Sequence, residues 1–443
     1  MAKFPSFCDR MGRRDFLHAG SLAGLSLAQV LQMQAVSAAA QAKQSKDVNC
    51  IFIFIIGGMA HQDMWDLKPD APAEIRGDFS PINTKVPGLH VSEILPHVAT
   101  VADKIAILRS MTHGESDHTA GYHVMMTGMH PGTGAAFNRA IKDNNVHPAL
   151  GSTVAKLGRH SSSLPAYISV PNLLNSGGPA FLGASCAPFV IEDDPASPDF
   201  SVRDIVLPDG VTNPRSLRRQ AALREVNRLD RSAERISKDV QFLDTFYEKA
   251  YNLMTSAEAK AAFDISRESD SVREEYGATS LGQCCLLSRR LVEAGCRFVS
   301  IENGHWDTHR KNTMSLRDLL VPSLDRALAA LIRDLDRRGM LDSTLVVLTT
   351  EFGRTPRINQ MAGRDHWPPA FSIVMAGGGL KTGQVVGATD KQAAYVVDRP
   401  IQPTDMAATV LSVLGIDPGT ILHTPVGRPV EVAGGGKPIT ELL

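Results

Sequence analysis

Residues 49–56 read Asn-Cys-Ile-Phe-Ile-Phe-Ile-Ile and are followed by Gly57-Gly58. A short, continuous apolar run that is rich in β-branched and aromatic residues is typical of a strand buried on both faces of a parallel sheet. Three later stretches, 297–302, 344–349 and 371–375, have a similar character and also lead into polar or glycine-rich sequence. Because ligands of open α/β sheets bind at the strand ends, we expect the functional site in the segments that follow these runs.

A helix is predicted between the strands at 297–302 and 344–349. Its leucines recur at spacings of three and four residues, and Gly339 is a suitable stop: Leu316, Leu320, Leu324, Leu328, Leu331 and Leu335. Strands that alternate with helices predict an α/β fold with a doubly wound, mainly parallel sheet flanked by helices. We assign this domain to residues 47–430, with a charged helical insertion at about 213–285 and a C-terminal tail at 431–443.

The overall composition excludes several classes of protein. Of the 443 residues, 43% are hydrophobic and 21% are charged, which indicates a globular chain with a sizeable core. The formal net charge of -1 provides no global field that would attract nucleic acid or an anionic membrane. A small-molecule or glycan substrate is therefore the expected partner.

The N-terminus has the three parts of an export signal in order. Arg13-Arg14 precede a mildly apolar run from Ala19 to Val36, and small residues follow it. This pattern predicts a twin-arginine signal peptide at 1–42, recognition by the twin-arginine translocase, and a periplasmic or extracellular location. No later apolar run approaches the roughly 20 residues that cross a bilayer, so we expect no integral membrane segment after the signal is removed.

Four segments at strand ends combine histidines with carboxylates. They are residues 57–66, residues 113–128, residues 305–309, and the pair 351–354 and 363–367. A histidine beside an aspartate on a loop is usually a solvated pair or a helix cap. Four such segments at the ends of strands of one sheet can instead surround a divalent cation, which needs several oxygen and imidazole donors at one point.

These segments carry a family resemblance. The phrases Gly-Gly-x-x-His-x-Asp-x-Trp-Asp, Trp-Asp-Thr-His, Glu-Phe-Gly-Arg-Thr-Pro and Gly-Arg-Asp-His-Trp-Pro resemble an exported family catalogued as a domain of unknown function (fifteen-oh-one). Their order along the chain also resembles the alkaline phosphatase superfamily, which includes the sulfatases. The resemblance implies an alkaline-phosphatase-like fold and one or two divalent metal ions, of which Zn, Ca, Mg and Mn all remain open.

The resemblance also implies roles for particular residues. It makes Asp63 the early metal carboxylate, with Asp66 as second choice. One metal would be held by Asp307, His309 and His366, while Glu351 stands where the superfamily usually has aspartate. The next residue is normally a histidine ligand, but here it is Phe352, which cannot bind metal, so a second metal site is in doubt.

The position of the nucleophile departs from the superfamily as well. Where sulfatases carry a cysteine or serine, this chain has His118 followed by Thr119. His118 can bind metal or act as a base, and the attacking group can be the hydroxyl of Thr119 or Ser116, or a water molecule. Arg354 can hold the oxygens of a sulfate or phosphate group by two parallel hydrogen bonds, or it can neutralise nearby carboxylates.

Two functions follow from these observations. The first is metal-dependent hydrolysis of sulfate or phosphate esters, as in sulfatases. The second is an inert exported relative that kept the fold and binds a glycan, a surface polymer or a partner protein. The departures at Phe352 and His118 favour the second, because a fold does not determine a function.

Overall fold

The structure, a computed structural model, describes residues 47–131, 146–202, 218 and 253–443. The predicted signal peptide and most of the predicted helical insertion lie outside the described residues. The described strands are β1 (Asn49–Ile55), β2 (Pro81–Asn83), β3 (His90–Ser92), β4 (Ile105–Met111), β5 (Tyr167–Val170), β6 (Phe189–Val190), β7 (Phe298–Asn303), β8 (Thr344–Thr350), β9 (Gly353–Arg354), β10 (His366–Trp367), β11 (Phe371–Gly377), β12 (Gln384–Val386), β13 (Ala388–Thr389), β14 (Val396–Asp398), β15 (Ile421–His423) and β16 (Pro429–Glu431).

The described α-helices vary from one turn to five turns. They are α1 (His61–Met64), α2 (Ala73–Arg76), α3 (Pro96–Ala99), α4 (His118–Thr127), α5 (Leu150–Leu157), α6 (Ala257–Phe263), α7 (Asp270–Tyr276), α8 (Ser280–Glu293), α9 (Asn312–Ser315), α10 (Val321–Arg337) and α11 (Pro403–Val413). A π-helical turn, Leu316–Leu320, joins α9 to α10. The predicted leucine-rich helix is therefore present, and Gly339 follows its end with a φ of 68°.

One large sheet organises the described chain. Its strands are hydrogen-bonded in the order β12-β4-β11-β8-β1-β7-β5-β6. All neighbouring pairs are parallel except those of β11, which runs antiparallel to both β4 and β8. The predicted doubly wound, mainly parallel sheet flanked by helices is confirmed. The run at 371–375 resembles the parallel strands in composition, yet it lies in the antiparallel strand.

Strand β1 shows why a continuous apolar run is needed at the centre of this sheet. Alternate side chains point to opposite faces, so Ile51, Ile53 and Ile55 join one hydrophobic cluster. Cys50, Phe52 and Phe54 join the cluster on the other face. Helices α8 and α10 contribute to the first cluster, and helices α4, α5 and α11 contribute to the second. Helices thus cover both faces of the sheet.

Two of the predicted boundaries fall inside packed structure. Helix α8 crosses residue 285, the predicted end of the insertion, and packs its leucines in the core. The segment 431–443, which we set apart as a tail, buries Val432, Ala433, Ile439 and Leu442 in the second cluster. The C-terminal segment is therefore part of the domain's core. In the described ranges, no helix has the length and apolar character that a membrane crossing requires.

Candidate metal centre

The candidate centre lies at the carboxyl edge of the sheet. Asp307 and His309 follow β7, Glu351 follows β8, and His118 begins α4, which comes after β4. His366 arrives by another route, because β10 pairs with β9 and the chain then enters the antiparallel β11 from this same edge. Separate strand ends thus bring these five side chains together, as expected for an α/β sheet.

Asp307 lies at the middle of this cluster. Its Oδ1 atom is 3.1 Å from Nε2 of both His309 and His366, and its Oδ2 atom is 3.4 Å from Nε2 of His118. The ligand atoms of His118, Asp307 and His366 all lie within 4.8 Å of one another. Three of the predicted ligands are therefore adjacent in space, and His118 faces the same carboxylate.

Each of the three imidazoles is held from behind by an oxygen acceptor. The contact is made by Nδ1 in every case, so Nε2 is the atom that faces Asp307. The pairs are His118 with the Glu351 carboxylate (2.7 Å), His309 with the Asp365 carboxylate (2.5 Å) and His366 with the backbone carbonyl of Ser116 (2.9 Å). Metal-binding histidines usually donate their second ring N–H to a carboxylate or a carbonyl in this way.

The contact between His309 and His366 is the strongest indication of a cation. Their Nε2 atoms are 3.0 Å apart. If both Nδ1 atoms carry the proton that their oxygen partners require, both Nε2 atoms present lone pairs. These lone pairs face each other and the Asp307 carboxylate, which is also an acceptor. Such an arrangement of acceptors is repulsive unless a proton or a metal ion lies among them.

The surrounding charges shift the pKa values of the cluster. Partial burial alone would raise the pKa of Asp307, but the charge and the hydrogen bond of the Arg354 guanidinium bring it below its ordinary value. The hydrogen bond to Glu351 raises the pKa of His118, against the effect of burial. Burial lowers the pKa of His366. Asp307 is thus kept ionised and His366 neutral, the protonation states that metal ligands need.

Arg354 has a different position from the one that direct substrate binding requires. Its side chain is fully buried, and Nη2 donates to Asp307. Its remaining hydrogen bonds go to backbone oxygens, namely those of Gly57, Gly58, Trp306 and Arg364. Arg354 therefore fixes the strand-end loops and the Asp307 carboxylate, and its donors are engaged by the protein.

Glu351, predicted as a metal ligand, is placed behind His118. Its Oε1 atom accepts the Gly57 backbone N–H and contacts His118 Nδ1, each at 2.7 Å, while Oε2 lies 3.0 Å from the Thr350 hydroxyl. The side chain is fully buried. In this structure Glu351 orients the imidazole and ties the end of β8 to the end of β1.

Asp63 and Asp66 lie outside the cluster. Both oxygens of Asp63 are paired with Arg364 at 2.8 and 2.9 Å, and Asn312 donates to Oδ2 at 2.7 Å. Asp66 pairs with Lys68 at 2.9 Å. The physical reason is that the buried Arg364 guanidinium beside Asp63 and the Lys68 ammonium beside Asp66 already supply the positive charge that a cation would offer.

Two residues discussed from the sequence remain: Thr119 at the start of α4, and Phe352 at the wall of the site. The backbone N–H of Thr119 donates to the N-cap residue Asp117, and among the described residues its hydroxyl makes no hydrogen bond. The Phe352 ring is fully buried, and its centroid lies 5.1 Å from that of the His118 ring and 4.4 Å from that of the His366 ring. An apolar wall therefore stands where the superfamily pattern has a histidine ligand.

The sequence analysis did not identify every residue that contributes to the site. Asp365 and the carbonyl of Ser116 hold two of the three imidazoles. The sequence signal for Asp365 was its place beside His366 in the quoted motif. A backbone carbonyl has no sequence signal, because every residue has one.

Solved structures that are similar to this chain include enzymes. The PsFucS1 sulfatase from Pseudoalteromonas sp. is 15% identical, with 87% of this chain and 71% of that chain covered and a TM-score of 0.38. A protein of the alkaline phosphatase superfamily from Vibrio parahaemolyticus is 12% identical, with 90% and 71% covered and a TM-score of 0.44. A phosphonate monoester hydrolase from Silicibacter pomeroyi is 13% identical, with 89% and 76% covered and a TM-score of 0.38.

Among curated proteins, no sequence matches this chain significantly. The match to a family model is extensive, because it covers residues 47–443 and so includes every side chain of the centre. The chain belongs to the family described as Protein of unknown function (DUF1501).

Proposed function

We propose that the protein is a metal-dependent hydrolase of sulfate or phosphate esters, acting on a small-molecule or glycan substrate. One observation carries the proposal: three imidazole Nε2 atoms converge on Asp307, and each imidazole is fixed from behind through Nδ1. This is a ligand set with its supporting shell in place. Asp307, His309, His366 and His118 are the proposed ligands.

A divalent cation in this position would neutralise charge on the oxygens of the transferring group and make water a better nucleophile near neutral pH. Helix α4 begins at His118, but the Asp117 carboxylate accepts the backbone N–H groups of Thr119 and Ala120 at this helix end. The stabilisation of an anionic ester group is therefore assigned to the cation and not to the helix N-terminus.

Arg354 acts in this proposal as a positioning residue. Its guanidinium shares Asp307 Oδ1 with the imidazoles and draws the pKa of that carboxyl down. The result is a carboxylate that is ionised and held in one orientation before substrate arrives. Thr119 and Ser116 remain possible sources of the attacking hydroxyl, and water is the other source.

The test is a screen of the purified full-length chain against aryl sulfates and aryl phosphates, with and without a chelator. We expect turnover that the chelator abolishes. Asp307→Ala and His366→Ala should each lower kcat/KM by well over 100-fold, since loss of an outer partner alone costs about 10–100-fold. His90→Ala is the matched control, because His90 is exposed on β3 and lies outside the centre. Turnover that persists in Asp307→Ala would contradict the proposal.

A second candidate is an exported binding protein without catalysis. The position of Arg354 favours it, because its donors are already engaged by backbone oxygens and Asp307. The same screen separates the two functions. Bound metal at one equivalent or more, without turnover of any ester, would support the binding protein. Export through the twin-arginine pathway belongs to both proposals and rests on residues 13–42 of the sequence.

A further inference from the structure

We infer that the centre is specific for a single borderline transition-metal ion of the zinc type, and that it does not take calcium or magnesium. The inference rests on the proposed function in that it concerns the same centre. It goes further by assigning the chemical class and the number of the ions. It also assigns His118 as a ligand, at the position where the superfamily pattern has its nucleophile.

The donor atoms favour this class of ion. Three of the four side chains that face the centre offer an imidazole nitrogen, and only Asp307 offers oxygen. Zinc binds imidazole and carboxylate together, whereas calcium takes six to eight oxygen ligands and magnesium binds carboxylates and water. A nitrogen-rich centre therefore selects against both hard cations.

The other nearby carboxylates cannot easily make up the missing oxygens. Asp63 is paired through both oxygens with Arg364. Glu351 accepts from the Gly57 N–H and from His118, and it is fully buried. Calcium affinity depends on the number of charged ligands. At this centre the charge of Asp307 is already balanced in part by Arg354, so little negative charge remains to attract a hard cation.

The spacing of the donor atoms suits a small tetrahedral ion. For metal–nitrogen distances of 2.0–2.1 Å, tetrahedral geometry places two ligand atoms about 3.3 Å apart. The observed separations are 3.0 Å between the Nε2 atoms of His309 and His366, and 3.1 Å from each of them to Asp307 Oδ1. The Nε2 atom of His118 is 3.4 Å from Asp307 Oδ2. The Nε2 atoms of His309 and His366 and Oδ1 of Asp307 are therefore near zinc spacing already, and His118 approaches from the side of Oδ2, with its ligand atom within 4.8 Å of those of Asp307 and His366.

Phe352 limits the centre to one ion. Its ring packs against the rings of His118 and His366 and is fully buried. An aromatic hydrocarbon ring offers no ligand to a second cation. Its neighbour Glu351 is engaged by His118 and the backbone, so the β8 strand end contributes no free donor either.

The test is metal binding by the full-length chain, independent of activity. The protein is stripped with a chelator and dialysed against zinc, manganese, calcium or magnesium, and bound metal is counted by mass spectrometry. Competition with a chromophoric chelator then gives the affinity. We expect one equivalent of zinc, which millimolar calcium or magnesium does not displace. His118→Ala should weaken zinc binding by more than 100-fold, and His90→Ala should leave it unchanged.

A second variant guards against loss of folding. Asp365 is about half exposed and supports only the imidazole of His309 within the centre. Asp365→Ala should therefore fold normally by circular dichroism and bind zinc about 10–100-fold more weakly. Zinc affinity that is unchanged in both His118→Ala and Asp365→Ala would overturn the inference, as would two equivalents of bound zinc.

The inference and the proposed function can fail separately. One tightly bound zinc without turnover of any ester would refute the hydrolase and leave the metal assignment standing. Ester turnover supported by calcium or magnesium, in a chain that binds no zinc, would refute the metal assignment and leave the hydrolase standing.

Discussion

Asp63 illustrates how one neighbour changes the role of a residue. The family resemblance implied a metal carboxylate, but Arg364 forms two hydrogen bonds to it and both side chains are buried. Asn312 adds a third hydrogen bond, and Arg364 also binds the backbone carbonyls of Thr355 and Ile75. This buried pair connects the loop before His366 to helix α1. The pair therefore affects the centre by fixing the position of the loop before His366, and Asp63 does not bind the ion.

Replacing Asp63 should therefore act on stability first. Asp63→Asn leaves a buried guanidinium without its counter-ion, which typically costs about 3–5 kcal/mol of unfolding free energy. Urea unfolding in the presence of chelator measures this loss. The exposed pair of Glu74 with Arg357 is the control, and Glu74→Gln should leave the unfolding free energy nearly unchanged. A stable Asp63→Asn protein that has lost all bound metal would instead identify Asp63 as a ligand.

Thr119 can be tested as the attacking hydroxyl. Successive residues of an α-helix are rotated by about 100°, so when His118 faces the centre the Thr119 side chain leaves the helix to one side of it. We expect Thr119→Ala to keep kcat within a few-fold of the wild type in the ester screen. A collapse of kcat with metal content unchanged would show that the hydroxyl of Thr119 is the nucleophile.

Sequence motifs could indicate the residue types of the centre but not which of them engage one another. Asp307, His309 and His366 were predicted together, and they are adjacent. Asp63, Asp66 and Glu351 carry the same chemistry as Asp307, and the motif alone cannot reveal that a guanidinium, a lysine or a backbone N–H occupies each of them. Arg364 is distant in the chain from Asp63, and Gly57 is distant from Glu351, whereas Lys68 lies only two residues from Asp66.

At the scale of elements, the loop 363–366 delivers His366 through a close backbone contact. A Cβ atom added at Gly363 would lie 2.0 Å from the backbone oxygen of His309. The two ligand loops can therefore touch only because residue 363 has no side chain. This explains the glycine of the Gly-Arg-Asp-His-Trp-Pro motif in physical terms.

Gly363→Ala should separate the two ligand loops. The contact is with backbone and cannot be relieved by a rotamer change, so we expect a loss of about 1–3 kcal/mol or more and weaker metal binding. Thermal unfolding and chelator competition measure the two effects. Gly304→Ala is matched in location, since it lies between β7 and Asp307 and a Cβ there meets nothing within 4 Å. Equal behaviour of the two variants would contradict this account.

The direction of β11 shows what local sequence cannot supply. Its apolar run satisfies the pattern of a doubly buried strand, as that of β1 does; β11 is buried at every position, and β1 is buried at every position after Asn49. Burial is the same for parallel and antiparallel neighbours. Direction depends on the connections at each end, and here a short β9–β10 pair returns the chain at the carboxyl edge of β8.

For the whole molecule, a second pair of histidines should control stability in acid. His123 Nε2 is 3.1 Å from His147 Nδ1, and His123 Nδ1 is 3.2 Å from the hydroxyl of Ser176. Burial, with a smaller effect of neighbouring positive charge, lowers the pKa of His123 to about 3 and that of His147 to about 4. Both side chains are therefore neutral in the folded protein at moderately acidic pH.

The sign of the pH effect follows from linkage. Below the ordinary histidine pKa of 6.5 the unfolded chain binds protons that the folded chain does not, so this contribution to stability is complete above pH 6.5. It should be lost progressively as the pH falls from 6.5 toward about 3, the lower of the two folded-state pKa values. Denaturant unfolding at several pH values, with chelator present, measures the slope. The unfolding free energy of His147→Gln should fall less steeply with decreasing pH than that of the wild type. An identical slope in that variant would contradict a role of His147 in acid stability.

The proposed ligands stand at positions 118, 307, 309 and 366 of a 443-residue chain. A nascent polypeptide on the ribosome carries its first imidazole long before the last one is synthesised. Capture of an ion by all four proposed donors is thus possible only after residue 366 has been synthesised. A product truncated before residue 366 would lack the fourth donor, so metal content in a purified sample also measures the fraction of correctly folded chains that extend past this residue.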